Sequence, residues 1–215
     1  MADANRPRRT YRSPLREEQA ARTHERIVEA AAVLFSDHGY SGTTMSDVAR
    51  AAEVSVESVH ATGSKAVLLV EAFRTRYTGE GGWGSFLDVG SVQDIFAVTD
   101  PDEAIERIVD FMATGHARSA RLLVELRTAA AAEPVVAEQW DELVTVKADG
   151  WTATAEWMVR IGVVDDVSPD DLPQLAVTLG TLLSAETYLH LTSDWQLDDD
   201  QYRAWVRQQV LSVHV

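Results

Sequence analysis

The sequence predicts an all-α fold. Apolar residues recur at spacings of three, four and seven along most of the 215 residues, strand signals are nearly absent, and Pro101, Pro134 and Pro169 each stand near a helix start. Between Thr78 and Gly90, the run Gly79-Glu80-Gly81-Gly82-Trp83-Gly84 has too much backbone freedom to continue a helix. It separates a small head from a larger body. The expected division is a basic arm over 1–16, a head over 17–78 and a helical body over 79–215.

Each element of the head has its own signal. From Glu17 the residues Ala20, Ile27, Ala31, Leu34 and Phe35 trace one apolar stripe, predicting a first helix to about Asp37, with Gly39 placed to end it in a left-handed conformation. Thr44 with Asp47 three residues on resembles a capping box and opens a short second helix, Met45 to Ala52. Glu53-Val54 form a turn, Ser55 caps a third helix over Val56 to about Ala61, and Ser64 caps a fourth with the stripe Val67, Leu68, Val70, Phe73 and Tyr77. Two short helices joined by a tight turn between longer ones make a helix-turn-helix. In the body, helices are expected at about 101–114, 116–131, 134–161, 169–192 and 199–213.

Charge is unevenly placed. The chain carries −15 overall, yet residues 1–77 hold eleven Lys+Arg against ten Asp+Glu, which leaves eight against 24 beyond. The acidity therefore belongs to the body. Arg6, Arg8, Arg9, Arg12 and Arg16 face one acid, Asp3, in the first sixteen residues, making the arm the most cationic segment. With no cysteine there is no disulfide framework, thiolate metal site or cysteine nucleophile. No stretch approaches the roughly 18 apolar residues of a membrane span, and the arm has no apolar signal region, so a cytoplasmic protein without a membrane partner is expected. No triad, metal cluster or paired-carboxylate constellation stands out, so neither an enzyme nor a cofactor is expected. Gly63-Ser64-Lys65 lacks the preceding glycine and strand of a phosphate loop.

The series Arg26-Ile27-Val28-Glu29-Ala30-Ala31, Leu34-Phe35, Gly39-Tyr40, Thr43-Thr44, Val48-Ala49, Val54-Ser55 and Ser64-Lys65 resembles, in order and at nearly the right spacing, the head of the TetR family of bacterial transcriptional regulators. The body resembles one subgroup through Leu191-Thr192-Ser193, Trp195 and Tyr202-Arg203-Ala204-Trp205. The resemblance implies that the third helix lies in the major groove of an operator, with Ser55, Val56, Glu57 and Ser58 near base edges. It also implies Thr43, Thr44, His60 and Lys65 at or near phosphates, and the arm arginines Arg6, Arg8, Arg9 and Arg12 on the backbone or in the minor groove. Three positions depart from the family: His60 stands where tyrosine is usual, the turn before Ser64-Lys65 lacks an aromatic and is one residue short, and Glu53 stands where glycine is common. These departures point to a different operator, or to a protein of this fold repurposed as a small-molecule binder or enzyme.

For the body, the resemblance implies a small-molecule effector, apolar or aromatic, and a two-fold homodimer that presents two heads to a pseudo-palindromic site as a repressor. All six tryptophans lie beyond the boundary. Trp151, Trp157 and Met158 on one helix, with Phe111, Met112 and His116 on segments expected to oppose it, are the candidate ligand pocket. Leu175, Leu179 and Leu182 on one late helix, with Tyr202, Trp205 and Val206 on the last, are the candidate dimer interface.

Overall fold

A computed structural model describes residues 14–81, 85–165 and 167–213. The expected DNA contacts Arg6, Arg8, Arg9 and Arg12 lie outside the described residues. The described chain is helical, with no strand among these residues: α1 (Pro14–Gly42), α2 (Met45–Ala51), α3 (Val56–Thr62), α4 (Lys65–Thr78), a 3₁₀ turn (Phe86–Asp88), α5 (Gly90–Phe96), α6 (Pro101–Ala130), α7 (Pro134–Arg160), α8 (Leu172–Leu182), α9 (Ala185–Leu189), a π turn (His190–Asp194) and α10 (Asp199–Ser212).

The caps of the head follow the sequence closely. Gly39 breaks α1 with φ 73°, and Thr44 forms a reciprocal capping box with Asp47. Ser55 and Ser64 each accept a hydrogen bond from the backbone three residues on, satisfying an amide the helix leaves free. Glu53 takes φ 52°, the left-handed conformation its place in the turn demands. Arg26 holds this turn by donating to the Ala52 and Glu53 carbonyls.

In the body, two expected boundaries move. The helices expected at 101–114 and 116–131 are one, because Gly115 continues α6: a Cβ there would stand 2.9 Å from the Tyr77 carbonyl oxygen and ring, so the missing side chain is what lets α4 approach. The segment expected as one helix over 169–192 divides at Leu183, where Ser184 caps α9. The stretch expected to be linker also carries the 3₁₀ turn that delivers Phe86.

Two cores hold these helices. The first joins Ile27, Ala31 and Phe35 of α1, Val48 of α2, Val59 of α3, and Leu68 and Leu69 of α4 to Leu122, Leu123 and Leu126 of α6. Head and α6 therefore share one apolar interior across the glycine-rich segment. Polar contacts seal the same joint: the Tyr40 amide donates to Glu125 at 3.0 Å and the Tyr40 hydroxyl to Glu133 at 3.2 Å. Burial, helped by the Glu133 charge, pushes that hydroxyl up to about 12. The second core gathers Ile105, Ile108 and Met112 of α6, Trp157 and Met158 of α7, Leu175 and Leu179 of α8, and Tyr202, Val206 and Val210 of α10. Arg203 to Asp110 at 2.9 Å and Arg207 to Glu106 at 2.7 Å tie α10 along α6.

The second core corrects most of the expected dimer surface. Leu175, Leu179, Tyr202 and Val206 are each fully buried within the single chain, so their stripes face inward. Only Leu182 and Trp205 of that group keep partial exposure. The outward faces of α8 and α10 instead show Val177, 63% exposed, and Leu211, 47% exposed.

Candidate DNA-reading head and ligand cavity

Helix α3 is pinned from behind by Val59, which is fully buried, while Ser55, Glu57 and His60 are exposed and Val56 and Ser58 partly so. The helix thus presents its N-terminal half outward. Ser55 accepts from the Ser58 amide at 3.2 Å, and the two hydroxyls lie 3.1 Å apart. Hydrogen bonds from its own backbone amide, then from Ser55, then the His60 charge, hold the Glu57 carboxyl below the usual range, so it is ionised at neutral pH. Thr44 is exposed at the start of α2, its hydroxyl donating to Asp47 at 2.6 Å.

Two residues expected at the DNA have other partners. Thr43 is 1% exposed, and its hydroxyl donates to the Gly39 carbonyl at 2.9 Å and that of Leu34 at 3.2 Å. A side chain so enclosed is out of reach of a phosphate. Lys65 donates to the carbonyls of Tyr40 at 3.0 Å and Thr43 at 3.3 Å and lies 3.9 Å over the Tyr40 ring. It caps the C-terminal end of α1, where free carbonyls and the helix dipole favour a cation. This explains a lysine at the unfavourable positive start of α4 better than a phosphate does.

Below the head, α4, α5, α6, α7, the 3₁₀ turn and the junction of α8 with α9 surround a cavity of about 80 Å³. Phe111, Met112, His116 and Trp151 line it, as the sequence led us to expect. Trp157 and Met158 do not. Trp157 is 1% exposed, packs against Phe96 at 5.2 Å and donates its indole N–H to the Val98 carbonyl at 3.3 Å, and Met158 is wholly enclosed in the second core. Among the lining groups absent from the sequence expectation are Tyr77, Phe86 and Lys147. Tyr77 closes the last turn of α4, and its ring meets Phe73, Phe86, Phe111 and His116 at centroid separations of 5.7, 6.3, 5.5 and 5.7 Å. Its hydroxyl donates to the Met112 sulfur at 3.4 Å. Three glycines make room for the aromatic wall: Gly115 against Tyr77, Gly150 against Phe86 and Gly180 against Trp151, each leaving 3.0 Å or less for an added Cβ.

The electrostatics of the cavity are simple. His116 shares a hydrogen bond of 3.2 Å with the Tyr202 hydroxyl, and burial, reinforced by the Lys147 charge, pushes it down to about 3, so the ring is neutral at physiological pH. No group of three or more His, Cys, Asp or Glu able to hold a metal occurs among the described residues, and none of their helices is long and apolar enough to cross a membrane.

Residues 27–72 match the sequence model of the bacterial regulatory proteins of the tetR family. No curated protein sequence matches the chain significantly. Among solved structures, a regulator from Saccharomonospora viridis in complex with choline is similar at TM-score 0.67 and 19% identity, covering 89% of this chain and 97% of that one. The FadR regulator of Bacillus subtilis in complex with stearoyl-CoA is similar at 0.64 and 15%, covering 89% and 100%. A TetR regulator from Haloarcula marismortui follows at 0.62 and 18%, covering 88% and 95%. Residues 27–72 therefore carry the sequence signature of the tetR regulatory proteins, and the chain as a whole shares the all-α fold of these solved regulators.

Proposed function

We propose that the protein is a ligand-responsive transcriptional regulator, a repressor that leaves a pseudo-palindromic operator when a small molecule fills the body cavity. The observation that carries the reading is α3: a short helix fixed from behind by Val59, with Ser55, Glu57 and His60 exposed on its outer side. Serine hydroxyls pair with either donor or acceptor edges, and an ionised Glu57 accepts from a cytosine amino group while being repelled by phosphate. That combination favours few, selective base contacts over general affinity. Thr44 at the start of α2 and His60 on the third helix would position the head on the backbone. A homodimer would set two such helices about 34 Å apart. The remaining apolar groups on the outer faces of α8 and α10, among them Val177 and Leu211, with Leu182 and Trp205 partly exposed, would meet the second copy.

Tyr77 supports a link between cavity and head, because it belongs to α4 and yet lines the cavity. A ligand that displaces its ring moves a helix whose other end shares an interior with α1, α2 and α3. Packed cores respond by shifting between discrete arrangements, so the ligand favours a state whose head spacing no longer fits DNA. Other regulators of this fold were solved with choline and with stearoyl-CoA, and the cavity here is lined chiefly by aromatic and aliphatic groups, which suits a ligand with an apolar or aromatic body.

The test is a gel shift against DNA flanking the protein's own gene, run over a salt series. Sequence-specific retention that weakens steeply with salt is expected, since phosphate contacts release counterions. Salt-insensitive absence of binding would overturn the reading and favour a small-molecule binder built on this fold.

A further inference from the structure

Among the groups lining the cavity, the polar ones sort into satisfied and unsatisfied. Thr154 donates to the Gly150 carbonyl at 2.8 Å, the Ser184 hydroxyl to that of Thr187 at 3.0 Å, and His116 is paired with Tyr202. Lys147 and Trp151 are different: among the described residues neither the ammonium nor the indole N–H has a hydrogen-bond or ion-pair partner. They stand one turn apart on the same face of α7 and both line the cavity. Each is a donor with no acceptor capacity. No aspartate or glutamate lines the cavity. The acid whose charge Lys147 does feel, Glu186, is bound by Arg127 at 3.0 Å. Burial pulls the lysine below its ordinary range, Glu186 opposes this, and Arg127 adds to it, so the ammonium is held where its charge is poorly compensated.

We infer that the effector is an amphipathic anion, an apolar chain or ring ending in a carboxylate, whose head group is received by Lys147 and Trp151 of α7 while its body lies among Tyr77, Phe86 and Phe111. The inference rests on the proposal that this cavity is the effector site. Two unmatched donors beside an apolar chamber are complementary to acceptor atoms, and an anionic acceptor compensates the lysine charge as well. The same arrangement disfavours a quaternary ammonium such as choline. Aromatic rings alone attract such a cation, but here Lys147 repels it and no carboxylate stands opposite. The cavity of about 80 Å³ is below the roughly 300–1,000 Å³ of drug-sized sites. A short ligand therefore suits the present packing, and a longer one must move the aromatic wall, Tyr77 included.

The test is calorimetric titration of the full chain with octanoate, octanol and octyltrimethylammonium, which share a tail and differ in head group. Hexanoate and decanoate report the tolerated length. Octanoate is expected to bind about tenfold or more tighter than octanol, with the ammonium weakest. Lys147→Met, which keeps the apolar stem, should bring octanoate and octanol within about threefold of each other, and Lys147→Arg should keep the preference. Trp151→Phe should weaken octanoate more than octanol. Equal binding of octanoate and octanol by the unaltered protein, a preference that survives Lys147→Met, tighter binding of the ammonium, or no binding of any probe would each overturn the inference. Operator retention measured in parallel separates the two readings. Intact retention with no head-group preference removes only the anionic effector, whereas absent retention in every form removes the regulator.

Discussion

The head and the cavity are built on opposite plans. In the head, the capping groups that open the short helices are satisfied by neighbours three residues away: Thr44 with Asp47, Ser55 with Ser58, Ser64 with Val67. In the cavity, the groups that matter come from residues as far apart as Tyr77, Lys147 and Ser184, and two of their donors have no partner among the described residues. A locally satisfied surface tolerates exchange of its outward side chains, because each cap stabilises its own helix by only about 1 kcal/mol. A chamber assembled from distant segments is sensitive to any change in how they pack. The outward side chains of the head are thus free to vary with little effect on stability, while the cavity is tied to the packing of the whole body.

Four measurements sharpen or break this contrast. The largest effect is expected for Trp157→Ala, a core residue by the structure: urea unfolding should show a loss of about 3–5 kcal/mol. A loss below about 1 kcal/mol would mean that Trp157 faces a cavity after all. His116→Gln should change the pH dependence more than the stability at neutral pH. The unfolded histidine takes up a proton near its ordinary 6.5 and the folded one only near 3, so stability is fully present above 6.5 and falls as pH falls through that window. This group alone accounts for a slope of about 1.4 kcal/mol per pH unit. The variant should be flatter by that amount between pH 5.5 and 4.5, where the unfolded histidine is almost fully protonated and the folded one still neutral, and an unchanged slope would remove His116 from the interior.

In the head, Thr44→Ala should cost about 1 kcal/mol and show itself as faster amide exchange confined to α2. Exchange that quickens throughout the body would contradict the local plan. The smallest effect is expected for Glu53→Gly, which relieves a left-handed conformation in a residue with a Cβ at a cost of greater freedom in the unfolded chain. The balance should be a gain of about 1 kcal/mol or less in thermal unfolding, because the exposed contact from Arg26 to Glu53 contributes little. A net loss would show that Glu53 is held by more than its turn.

The same contrast explains what could be read from the amino acids alone. Caps and stripes are local signals, so the breaks at Gly39, Thr44, Ser55 and Ser64 were legible, as was the resemblance to a regulator head. Gly115 misled because a glycine inside a helix weakens it by roughly 0.5–1 kcal/mol, and only the Tyr77 contact shows what offsets that. Phe111, Met112, His116 and Trp151 were legible as cavity residues because aromatic and sulfur side chains cluster on two helices. Lys147 was not, since a lysine on a long helix ordinarily reads as a solvated position. Leu175, Leu179, Tyr202 and Val206 misled for a further reason: a broad apolar stripe does not reveal whether its partner lies in the same chain.

The joint between α1, α4 and α6 also bears on how such proteins are recombined. Grafting this head onto another body at Thr78 would leave Leu122, Leu123 and Leu126 behind and confront Phe35 and Leu69 with a foreign helix. A working hybrid would need to carry the outer half of α6 as well, so the natural cut for exchanging specificities is a surface through the middle of a helix, and not a point in the linker.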